Sequence, residues 1–107
     1  MKICIVTNMT PTENYTPSLF KDEVEAKKWM RECAANNILS AFKEKLEDEI
    51  YDEGHNLITD DAERLYDIIL EYANRNIDGV DVYEDRIDIY YGNDSCNVLQ
   101  LFREVEV

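Results

Sequence analysis

A chain of 107 residues has room for one domain and one core. Its 24 Asp and Glu against 11 Lys and Arg leave a net charge of -13, which opposes direct binding to nucleic acid or to an anionic membrane surface. Hydrophobic residues still make up 45% of the chain, enough to fold, and the longest uncharged run, Cys33 to Phe42, is too short and too polar to span a bilayer.

Lys2 to Met9 reads as a first strand, with Ile3, Ile5 and Thr7 on one face and Cys4 and Val6 on the other. Apolar residues on both faces suggest a strand that is central or covered on both sides. The same opening has no secretion-signal pattern, so a soluble cytoplasmic domain is expected. Thr10 to Pro17 holds both prolines and Asn14 and reads as a loop. A helix start follows, with Asp22 as N-cap candidate and Glu25 completing a capping box.

From Asp22 to about Tyr51 the pattern is helical. Ala26, Trp29, Met30 and Cys33 fall on one face; Ala35, Ile38, Phe42, Leu46 and Ile50 fall on nearly the opposite one. One straight helix cannot present both stripes to a single core. The favoured reading is a break at Asn36-Asn37, because asparagine is a poor helix former that tolerates cap conformations. The alternative is a continuous helix whose unmatched stripe is left for a partner.

Asp52 to Ile58, with Gly54 and the single histidine, is a loop. Asp60-Asp61-Ala62-Glu63 forms a second capping box and opens a helix to about Asn76. Leu65, Ile69, Tyr72 and Ala73 are its core stripe, with Tyr66 and Ile68 at the margins. Val80 to Tyr83, Arg86 to Tyr91 and Val98 to Val107 alternate as strands, joined by turns at Glu84-Asp85 and Gly92 to Asn97. Ile87, Ile89 and Tyr91 share a face, as do Leu99, Leu101, Val105 and Val107, opposite Gln100, Phe102, Glu104 and Glu106. The order predicts an α+β domain: an N-terminal strand, two or three helices, then a three-stranded antiparallel meander, with the helices on one face of the sheet.

Little in the sequence points to catalysis. Gly54, Gly79 and Gly92 are too far apart for a phosphate loop. His55 is the only histidine, so any Ser-His-Asp or Cys-His site would have to use it, and its polar loop argues for a solvated side chain. Asp78, Asp81, Asp85 and Asp88 lack the glycine and closing glutamate of a calcium loop. Cys4, Cys33 and Cys96 are odd in number and contain no C-x-x-C. Cys4 and Cys33 read as small apolar residues, and Cys96, in a polar turn, as exposed with no neighbouring cation to activate it. No catalytic residue, metal or cofactor is expected. Seven tyrosines, Tyr83 and Tyr90 among them, suit the rim of a core or a contact surface.

Charge is unevenly spread. Residues 1–43 carry a net of +1, residues 44–71 a net of -9 and residues 72–107 a net of -5. The middle segment holds Glu44, Glu47, Asp48, Glu49, Asp52, Glu53, Asp60, Asp61, Glu63, Asp67 and Glu71 against only Lys45 and Arg64. On adjacent helices such carboxylates lie about 5–6 Å apart, so the surface can compete with phosphates for a basic groove. These eleven acids, with Tyr51 and Tyr66, are the candidate partner-binding surface, and the expected partner is a protein with a basic face. The plain alternative is that the acids serve solubility alone.

In size, acidity, tyrosine content and layout the chain resembles small phage and mobile-element proteins that inhibit host defence, anti-CRISPR and anti-restriction DNA mimics among them. Ser18 to Ala26 and the tail Leu101 to Val107 have the character of such proteins, without a shared motif that would assign roles to residues. The resemblance implies an inhibitor. A second reading is a regulatory homodimer that associates through an exposed sheet edge, the unmatched helix stripe, Trp29 or Phe102.

Overall fold

Alternation and capping place most of the elements. The computed structural model describes residues 1–92 and 95–106. Asn93 and Asp94, within the predicted Gly92 to Asn97 turn, and Val107, assigned by alternation to an apolar face, lie outside the described residues. The elements are β1 (Lys2–Met9), β2 (Ser18–Phe20), α1 (Glu23–Ala41), α2 (Lys43–Ile50), α3 (Ala62–Asn76), β3 (Val80–Val82), β4 (Arg86–Gly92) and β5 (Ser95–Glu106). All strand pairs are antiparallel and the sheet order is β2-β1-β5-β4-β3. The α+β class stands, with three helices, but the sheet has five strands where a single strand and a three-stranded meander were expected. The strand missed is β2, whose three residues are too few to show a period.

One face of the sheet holds the core. Register puts Val6 opposite Leu101, Ile87 opposite Leu99 and Val80 opposite Ile89, and all six are buried with Cys4 under helix residues Ala26, Met30, Ala34, Ile38, Ile69, Leu70 and Ala73. Helices α1 and α3 pack on that face, and α2 packs against α1 and α3 through Leu46 and Ile50.

Helix α1 runs through Asn36-Asn37 without a break, contrary to expectation. Asn37 is there for a tertiary reason. Its Nδ2 donates to Asn97 Oδ1 at 2.7 Å, and the buried Asn97 in turn donates to Asn8 Oδ1 at 2.6 Å and to the Met9 carbonyl at 3.2 Å. A buried amide must be satisfied, so the asparagines form one network. The break falls instead at Phe42, with φ -127 and ψ 34. Ala26, Met30, Ala34 and Ile38 repeat at i+4, so the buried stripe drifts around α1 by about 40° per step and links the two apparent faces.

Near its end β5 carries a bulge. Ile5 faces Phe102 but Ile3 faces Val105, so three residues of β5 advance against two of β1, and Glu104 takes φ 53. Strict alternation is lost there: Val105 joins Phe102 on the sheet face away from the helices, instead of joining Leu101. Cys96, expected in an exposed turn, is half-buried on β5 opposite Tyr90. All three cysteines are free, and burial raises the Cys33 thiol pKa, with Glu32 adding to it. Among the described residues no helix is long and apolar enough to cross a membrane.

Candidate protein-docking surface

All eleven acids of the middle segment are exposed, and the structure sorts them by what they touch. Around the start of α3, Asp61, Glu63 and Asp67 serve the fold. Asp61, one residue after the expected cap Asp60, is the N-cap: its Oδ1 accepts from the Glu63 and Arg64 amides at 3.0 and 3.4 Å. Glu63 does not complete a capping box; its Oε1 lies 2.8 Å from Lys28 Nζ on α1. One turn on, Asp67 Oδ1 accepts from Arg31 Nη2 at 2.8 Å. The Lys28 pKa is raised by its hydrogen bond and charge pairing with Glu63, with Glu25 adding to it. The α1–α3 seam, which includes Tyr66, is thus an acid surface answered by bases from the first half of the chain.

Helix α2 differs. Its sequence, KEKLEDEI, buries only Leu46 and Ile50 and has no side-chain N-cap. Lys43 and Lys45 lie at its start, while Glu47, Asp48 and Glu49 crowd its last turn with no base among them. Glu44 suits the first turn, but the two lysines beside it and the three acids of the last turn oppose the helix dipole. Lys45 lies over the Phe42 ring, 5.6 Å from its centroid, and neither Lys43–Glu47 nor Lys45–Glu49 closes into an ion pair.

The loop after α2 is held by Asp52, whose Oδ1 accepts from the Gly54 and Asn56 amides at 2.9 and 3.0 Å. His55 takes φ 60 in that turn, and the Ile58 amide donates to the Ile50 carbonyl at 2.9 Å. Together they form an open hollow of about 400 Å³ lined by Lys43, Glu47, Asp48, Tyr51, Asp52 and His55. It contains no serine, threonine or cysteine, and the His55 ring has no side-chain partner among the described residues. Glu49 and Glu71 meet across a separate cleft between α2 and α3, which Arg75 shares without pairing to either.

Of the predicted set, then, Glu47, Asp48, Asp52 and Tyr51 come together, Glu49 and Glu71 come together, and Glu63, Asp67 and Tyr66 form a third group. Glu44, Glu47, Asp48, Glu49, Glu53, Asp60 and Glu71 have no ion pair or side-chain hydrogen bond among the described residues. Sequence reasoning overlooked His55 and Lys43 as neighbours of this acidic hollow. The signal was the reversed charge order of KEKLEDEI beside a one-histidine loop. Elsewhere Arg103 pairs with Glu23 and lies 3.8 Å from both Glu84 and Asp85, while Arg86 lies 3.3 Å from Asp88. Among the described residues no three His, Cys, Asp or Glu side chains are placed to hold a metal ion. No protein-family model matches the sequence, and no curated protein or solved structure matches it either.

Proposed function

We propose that this protein is a non-catalytic inhibitor that docks by the acidic surface of α2 and its following loop into a basic nucleic-acid-binding groove of a partner protein. The observation that carries this reading is the charge order of α2, an eight-residue helix with two lysines and only Glu44 in its first turn and three acids without a base in its last. Each charge set against a helix dipole costs about 0.3–1 kcal/mol, and crowded like charges add to that. The fold gains nothing from Glu47, Asp48, Glu49 and Glu53, all exposed and unpaired among the described residues. A surface that weakens its own helix is understandable if a partner's lysines and arginines complete it. Solubility alone would be served equally by acids at the start of the helix. Tyr51, half-buried at the edge of the hollow, supplies an aromatic contact.

The test is titration of nucleic-acid-binding effector proteins with the wild type and with a variant carrying E47K, D48K, E49K and E53K, using duplex DNA as competitor. The wild type displaces DNA, and its affinity falls roughly tenfold or more between low and high salt. The variant loses binding while keeping its fold, and its stability rises by roughly 1–2 kcal/mol because the dipole and repulsion penalties are removed. Equal binding by the variant, or binding indifferent to salt, would refute the electrostatic account.

A further inference from the structure

The sheet face turned away from the helices is a second surface with a different chemistry. An antiparallel sheet open on one side ordinarily shows polar residues there. Here the register places Ile5 opposite both Leu19 and Phe102, Ile3 opposite Val105, and Val98 opposite Met9 on that face. Leu19 is 65% exposed and Phe102 42%, and Ile3, although only 9% exposed, is not part of the core cluster beneath the helices. The bulge at Glu104 contributes to this directly, since it turns Val105 outward beside Ile3. Among the described residues the register places charge on this face on its β4–β3 side, where Arg86 and Asp88 lie 3.3 Å apart and Asp81 is opposite Asp88.

We infer that this open face is where a second copy of the chain docks, sheet against sheet. Two chains of net charge -13 repel through their helix sides, so self-association needs a surface nearly free of carboxylates, and the β2-β1-β5 half of this face is one. A basic partner would be drawn instead to the acidic helices. The strands hold 33 residues, and at about 3.3 Å along and 4.8 Å across per residue the sheet face covers about 520 Å² per copy, about 1,050 Å² for the pair, just above the roughly 1,000 Å² that a specific interface needs. Edge-to-edge pairing is the weaker route, because the edge strands β2 and β3 have three residues each. Trp29 is unavailable as well, since it already packs on Phe20 with ring centroids 5.9 Å apart. The dimer interface is isologous and leaves both acidic helix surfaces outward, so the inference is independent of the docking proposed above.

The test is sedimentation velocity on the full chain from low to high micromolar concentration, at about 0.1 and about 0.5 M NaCl. The expected result is a concentration-dependent dimer that tightens with salt, the opposite of the salt response expected at the acidic surface. L19S with F102S weakens it at least tenfold while far-ultraviolet circular dichroism stays native. Should that pair unfold, T7R, at the centre of the same face, replaces it. L57S with I58S, exposed apolar residues on the loop after α2, leaves the dimer unchanged. A monomer at high micromolar concentration in both salts overturns the inference and leaves the face to a foreign partner. So does a dimer that survives the folded sheet-face variant, or one lost through Leu57 and Ile58.

Discussion

Helices α2 and α3 are both acidic and both sit in the same layer, but their charges are placed by opposite rules. In α3 an aspartate caps the start, Glu63 occupies the first turn and Arg75 the last, and two carboxylates reach bases on α1. In α2 two lysines flank Glu44 in the first turn, three carboxylates fill the last, and no side-chain cap bond forms. Asp61, Glu63 and Asp67 at the start of α3 therefore contribute to folding, whereas Glu47, Asp48 and Glu49 at the end of α2 lower the stability of the element that carries them. A count of charges cannot make that distinction; the position of each charge along its helix and its partner can.

The largest way to break the contrast is to release α2. Leu46 and Ile50, 0% and 1% exposed, are its only buried residues. L46A should cost about 2–5 kcal/mol by denaturant unfolding, as core truncations do. Eight residues do not hold a helix alone, so hydrogen exchange should show α2 opening while α3, anchored by Ile69, Leu70 and Ala73, stays protected. Equal loss of protection in both helices would mean that α2 does not open as a separate element.

A finer test uses two adjacent acids. Asp61 caps α3 by accepting from two amides, while Asp60 has no partner among the described residues. D61A should destabilise by about 1 kcal/mol, and D60A by no more than a few tenths. If D60A proves the more costly, the cap assignment is wrong.

Much of this was legible locally. Asp22 caps α1, its Oδ1 accepting from the Val24 amide at 2.8 Å, as its place before an acidic turn implied. The α+β class followed from periods alone, and the acidic run of α2 could be read directly. What could not be read are the features set by distant residues. Asn37 looked like a helix stop because its partner Asn97 is sixty positions away. The bulge that exposes Val105 depends on how β5 meets β1. Glu63 and Asp67 looked identical to Glu49 and Glu71 until Lys28 and Arg31 came within 2.8 Å of them.

That last difference gives the smallest and most specific effect, a shift in pH dependence. The Lys28 pKa is held above its ordinary 10.5, chiefly by the hydrogen bond to Glu63. A base whose pKa is higher in the folded chain binds its proton more tightly there, so its contribution to stability is complete below the unfolded value. The contribution fades as pH rises through the folded value. Both side chains are more than half exposed, at 52% and 64%, so the effect is small and salt-sensitive. E63Q should lower the unfolding midpoint slightly at neutral pH and return the Lys28 titration, followed by NMR at the side chain, toward its ordinary range. Above the folded value the wild type and E63Q should converge, because neutral Lys28 no longer distinguishes a carboxylate from an amide by charge. E71Q should do the reverse at neutral pH, raising the midpoint slightly, since it removes repulsion from Glu49 across their shared cleft. Equal losses from E63Q and E71Q would show that the acids are not sorted into employed and idle by the partners they meet.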